Sequence, residues 1–441
     1  MSNEEGGATP DPEEFKRFLE QFMAKKDGLD PEQLAEFAGL ARDPEQLAAM
    51  IKHLQDAIAS TPGAGQTGVN WRLATDQAKA IARTDARPIT DDQSKAITDA
   101  WSIGSLWLNQ ATSISELTTE PKLIGRELWV DEALPLFQAL SSPIADRMSD
   151  ALSRNLVENA PEELSGILGS ASGLIKSAGG SMFAMQLGQA LGQLSSEVLS
   201  AGDIGLPLFH EPRAALVVQN LAASLAELDV EQDQAYIYLV VRELAHARLF
   251  KHAKWLRDAI VTQITSYAGD LAIDNSRLAD LAGELEGADL EALKSAIEKG
   301  AFIAAPNEDQ QRALDAIETL LALVEGWVEV VTADACKLLP KASAMGEFVR
   351  RRRATGGPAE KTFGQLIGLE LRPRRLREAT ELWRVLGERL GAEKRDGLWA
   401  HPDLLPTAED IQNPHGLVER LTGGASGEDD IDRELRKLLG E

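Results

Sequence analysis

The residues best able to do chemistry lie in one window, Tyr236-Ile-Tyr-Leu-Val-Val-Arg-Glu-Leu-Ala-His-Ala-Arg-Leu-Phe-Lys-His252, an apolar helical stretch interrupted by Arg242, Glu243 and His246. Arg242-Glu-Leu-Ala-His246 has the spacing of the zinc motif His-Glu-x-x-His. In that motif two imidazoles four residues apart face one way on a helix and share Zn²⁺, while the glutamate handles the proton of the attacking water. Here the first imidazole is replaced by arginine, which stays cationic and has no lone pair to offer a metal. A catalytic zinc takes three protein ligands, so His246 would need further donors. His252 follows it by six residues, the spacing of the third histidine in the extended motif. The glycine that turns the chain back in that motif is Leu249 here, so on a continuing helix His252 sits about 240° around the axis from His246. Glu325, in Leu321-Ala-Leu-Val-Glu-Gly-Trp-Val-Glu-Val-Val331, is a carboxylate inside an apolar helix and the stronger candidate.

The elements that must position these residues read as helices. Helix-period patterns run from Trp71 to about Leu339, and the β-branched clusters Tyr236–Val241 and Val328–Thr332 sit inside them, so a mostly α fold is expected. Between Lys176 and Glu197 no residue is charged, but glutamines, serines and glycines interrupt the run. Ala184, Gly188 and Gly192 recur every four residues, which predicts a buried helix with a small-residue stripe rather than a membrane span. The expected organisation is an acidic flexible tail over 1–14, N-terminal helices over 15–60 and a turn-rich linker over 61–68. A helical core over 69–345 follows, then a C-terminal helical extension over 346–422, then an acidic tail over 423–441 with a short amphipathic helix at Ile431–Leu439. Two helix starts within 15–60 repeat Asp-Pro-Glu-Gln-Leu-Ala, at Asp30–Ala35 and Asp43–Ala48.

Composition narrows the function classes. In 441 residues, 70 acidic side chains outnumber 45 basic ones, a net charge of -25 that repels nucleic acid and anionic membrane. Cys336 stands alone, so neither an internal disulfide nor a multi-thiolate metal site can form. The start, Met1-Ser-Asn-Glu-Glu, lacks the basic and apolar run of a secretion signal, and a cytoplasmic location is expected. No nucleophile elbow, Walker loop or dinucleotide glycine pattern is set after a strand, which argues against acyl, phosphoryl and hydride transfer. One segment opposes the overall charge: Arg350, Arg351, Arg352 and Arg353, with further arginines up to Arg377. It reads either as an anion or nucleic-acid contact, or as a basic run neutralised by acids of the same chain.

Several separated segments together resemble the actinobacterial zincin-like family of unknown function, whose members are generally described as hydrolases or zinc-dependent metalloproteases. They are Arg242-Glu-Leu-Ala-His-Ala-Arg-Leu-Phe250 with Trp255-Leu-Arg257, Gln189-Ala-Leu-Gly192 with Ile204-Gly-Leu-Pro-Leu208, Val324-Glu-Gly-Trp327, and Leu366-Ile-Gly-Leu-Glu370 with Trp399 and Leu405-Pro-Thr407. The resemblance, spread from about Trp71 to Pro414, implies a mostly helical zincin-like core with Glu243 and His246 on the active-site helix and Glu325 opposite. One branch of the family looks to keep the full motif; this sequence has the arginine of another.

Three uses of the site stay open on these residues. In the first, Arg242, Glu243, His246 and Glu325 form a metal-free ion-pair network in a binding or scaffold protein with a protein partner. In the second, Zn²⁺ is held by His246 and Glu325, Glu243 is the general base of a hydrolase, and Arg242 anchors an anionic group. In the third, the chain binds anions or nucleic acid through Arg350–Arg353.

Overall fold

The computed structural model describes residues 69–158, 180–181, 183–226, 228–269, 306–354 and 375–423. The tails, the helices expected over 15–60 and the linker over 61–68 lie outside these residues, apart from Gly423.

Helices begin where the sequence supplies caps. Asn70 caps α1 (Trp71–Ala82), and Thr90 with Gln93 closes a capping box on α2 (Asp91–Ala111). After a short strand β1 (Lys122–Ile124) come α3 (Arg126–Glu158) and α4, over residues 183–197. Strand β2 (Ala215–Val217) leads into α5 (Val218–Leu225), α6 (Gln232–His252) and α7 (Trp255–Gly269). Asn307 and Gln310 form a second capping box on α8 (Glu308–Ala335), followed by α9 (Ala342–Ala354), α10 (Leu376–Leu390) and α11 (Ala392–Gly397). A single turn of 3₁₀ helix (Pro402–Leu404), α12 (Ala408–Gln412) and α13, over 414–423, end the described chain.

The mostly helical expectation holds, and the clusters Tyr236–Val241 and Val328–Thr332 are helical within α6 and α8. The helix-period run expected from Trp71 to about Leu339 is broken where the chain leaves helix over 112–125 and again over 198–217. There β1 and β2 pair in parallel, Leu123 opposite Leu216, and residue Ser200 adds an antiparallel bridge to Leu216. Three-residue strands leave no alternating pattern for a sequence to display.

Helix α6 is the axis. Every residue from Tyr238 to Phe250 is buried, as is every residue from Leu321 to Val328 of α8, because both are apolar on all sides and must be enclosed. α2, α8 and α9 pack on α6, and α7 and α10 pack on α8. The boundary expected at 345/346 falls inside α9. Leu382, Trp383, Leu386 and Trp399 beyond it join the same continuous core, with Trp383 stacked on Trp399 at 5.3 Å, so the C-terminal helices extend one core. Asp396 sews this end down: its Oδ1 accepts from Trp327 Nε1 at 2.9 Å and Arg395 Nε at 2.7 Å, and its Oδ2 from Thr112 Oγ1 at 2.6 Å. No helix among the described residues is long and apolar enough to cross a membrane.

The small-residue stripe of α4 lies on α1. A Cβ at Gly188 would stand 2.6 Å from the Ala74 carbonyl oxygen, and one at Gly192 would stand 2.7 Å from Ile81 Cβ. Gly188→Ala is therefore expected to lose about 1–3 kcal/mol of unfolding free energy through overpacking against backbone. Urea unfolding checks it; unchanged stability would mean the two helices stand farther apart.

Candidate active site

A helix enclosed on all sides obliges its polar side chains to find partners within the protein. On α6, Arg242, Glu243 and His246 are each at most 6% exposed, and Glu325 of α8 is 1% exposed. The structure joins three of them directly, Arg242 and His246 meeting on Glu325, while Glu243, expected in the same network, bonds elsewhere. Arg242 Nη2 donates to Glu325 Oε2 at 2.5 Å, and His246 Nε2 lies 3.0 Å from Glu325 Oε1. Burial depresses the His246 pKa and favours the neutral ring, whose Nδ1 lies 3.2 Å from the Arg242 carbonyl oxygen.

A second cation completes the set. Arg353, near the end of α9, donates through Nη2 to Glu325 Oε1 at 2.6 Å and to the Asp203 carbonyl at 2.7 Å. Burial alone would raise the Glu325 carboxyl. Arg353, His246 and Arg242 outweigh it and hold the group far below the usual carboxylate range. The sequence singled out Arg353 only as part of a basic run. Its seat on Glu325 was not legible, because nothing in the local pattern around 353 says which helix it meets.

Glu243 looks the other way. Its Oε2 accepts the Gly202 amide at 2.9 Å and its Oε1 the Ala215 amide at 3.0 Å, so it joins the start of β2 to the segment that pairs with it. Burial pushes its pKa up to about 7, against the opposing pull of these hydrogen bonds and one with Ser200.

The segment over 199–209 covers this cluster, and its glycines are required there. A Cβ on Gly202 would stand 2.6 Å from His246 Cβ. At Gly205, where φ is +73°, it would stand 2.5 Å from Glu325 Oε1. What remains beside Glu243 and His246 is a cavity of about 20 Å³, bordered by Leu206, Phe209 and Phe250, enough for one water.

The remaining sequence candidates are placed elsewhere. His252, the last residue of α6, is exposed. The arginine run carries ion pairs to acids of the same chain. Arg350 pairs with Glu329 and Glu347, Arg351 with Glu347, Arg352 with Asp203 at 3.1 Å, and Arg353 with Glu325.

The donor set does not fit zinc. Both oxygens of Glu325 are taken by guanidinium groups, and Arg242 stands at the first ligand position. A divalent ion would have to enter beside two fixed positive charges. Among the described residues, no group of three or more His, Cys, Asp or Glu side chains is placed to hold a metal ion.

A crystal structure from Chloroflexus aurantiacus, of a protein provisionally assigned as a hydrolase with a novel fold, is similar in fold. It has a TM-score of 0.56 at 17% identity, and the match covers 80% of this chain and 99% of that one. Among curated proteins none matches the chain. Residues 69–418 match the family described as zincin-like metallopeptidase, a span that takes in Arg242, Glu243, His246, Glu325 and Arg353. With its glutamate and second histidine on α6 and an acidic partner on α8, the chain belongs to the zincin-like metallopeptidase family.

Proposed function

We propose that this protein has exchanged the metal centre of its family for a charged side-chain knot, and that it works by binding a protein partner rather than by cutting a peptide. The observation that carries this reading is the double guanidinium clamp on Glu325: Arg242 on one oxygen, Arg353 on the other. The clamp supplies inside the fold the positive charge that an ion would otherwise bring, and it ties α6, α8 and α9 together with the segment that covers the cluster.

Metal analysis tests it. Purified protein incubated with zinc and then desalted is expected to carry far less than one ion per chain. Arg242→His combined with Arg353→Ala restores the missing imidazole and frees a carboxylate oxygen, and should take up zinc stoichiometrically. Stoichiometric zinc in the unaltered protein would overturn the reading.

One observation favours a hydrolase instead. A carboxyl pushed up to about 7, beside a histidine and a water-sized cavity, is what a general base requires. In that case Glu243 would be the base, and turnover of a peptide or ester substrate would vanish in Glu243→Gln.

A further inference from the structure

A second cavity, of about 370 Å³, opens between α2, α8, α10 and α11, with Asp334 at its edge about 13 Å along α8 from Glu325. Its volume is in the range of small-molecule sites. We propose that it binds a small zwitterion of the α-amino-acid type carrying a large apolar side chain.

The argument starts from Arg395, which is 2% exposed. Its Nε donates to Asp396 and its Nη2 to the Ala111 carbonyl at 2.8 Å, which fixes the guanidinium plane. The remaining nitrogen, Nη1, lies 3.7 Å from Asp334 Oδ2, wider than a hydrogen bond. Two opposite charges thus face each other in the cavity wall without closing. Lys337 also lines the cavity, as do Arg384 and Glu388, which pair with each other.

Such a wall selects by repulsion as well as attraction. A simple anion offered to Arg395 and Lys337 also meets Asp334, and a simple cation offered to Asp334 also meets Arg395. A ligand that carries a carboxylate and an ammonium on one carbon satisfies both, the carboxylate accepting from Arg395 Nη1 and the ammonium donating to Asp334. Its side chain would then lie on Trp107 and Leu338, which also line the cavity. Leu338 is 77% exposed, so a large aliphatic group stands in water at this mouth and a ligand side chain would cover it.

Titration calorimetry and saturation-transfer NMR on the full chain, with leucine and phenylalanine as probes, test this. At least one is expected to bind, and N-acetyl-leucine amide, which loses both ion pairs, at least about tenfold more weakly. Asp334→Asn and Lys337→Met, both at exposed positions and checked for native circular dichroism, should each weaken binding severalfold or more. Absence of binding by both amino acids, equal binding of the blocked compound, or affinity unmoved in both variants would overturn the proposal. Metal content plays no part in the outcome, so this result stands apart from the reading of the Glu325 cluster.

Discussion

Glu325→Ala is expected to lower the unfolding free energy by about 3–5 kcal/mol, read as a large drop in the urea midpoint with little change in slope. The change strands two guanidinium groups: Arg242, whose side chain is 7% exposed, and Arg353, at 17%. Arg242 is almost wholly enclosed, and Arg353 reaches solvent only in part. Removing the whole clamp should behave differently. Arg242→Met, Glu325→Leu and Arg353→Met together replace three desolvated charges with apolar volume, and the expectation is neutral to about 1–4 kcal/mol more stable than the single variant's parent. A triple variant as unstable as Glu325→Ala would show that the three side chains contribute through shape rather than charge. The acid limb follows the same logic. Glu325 is held below its ordinary range, so its contribution is present above pH about 4.5 and is lost as pH falls toward its folded value.

Glu243 should give the opposite slope. Its folded pKa of about 7 lies above the unfolded value near 4.5, so between those two pH values the native state holds more protons than the unfolded chain. Stability is therefore expected to fall as pH rises through this window, by on the order of 3 kcal/mol in total, and to level off above pH about 7. Glu243→Gln removes the titration and should flatten the slope. It also turns an amide N–H toward one of the two backbone donors, Gly202 or Ala215, which costs about 1–3 kcal/mol at every pH. Urea midpoints measured across pH 4.5 to 8 separate the two effects; an unaltered slope in Glu243→Gln would assign the pH dependence to another group.

How much of this was legible in the sequence follows from what each contact depends on. The convergence of Arg242 and His246 on Glu325 could be read because polar residues on helices apolar all round have nowhere else to go, and because i, i+4 spacing puts Arg242 and His246 on one face; that Glu243 turns instead to the Gly202 and Ala215 amides could not. The stripe of Ala184, Gly188 and Gly192 was visible for a similar reason. Arg353 and Asp203 were not, since their meeting joins segments 150 residues apart and a basic run looks the same whether it faces solvent or a buried carboxylate. The role of Gly202 and Gly205 was hidden too. The Ile204–Leu208 segment was noticed, but only the folded backbone shows that side chains there would strike His246 and Glu325. Strands β1 and β2 escaped because three residues are too few for periodicity.

The clamp on Glu325 has a consequence for how the protein is made. A metal must be acquired after synthesis, competes with other ions for its place and can be drawn off by a chelator. The cations that hold this carboxylate are covalent parts of the polypeptide, so they arrive with translation, in fixed stoichiometry, whatever the supply of trace elements in the surroundings.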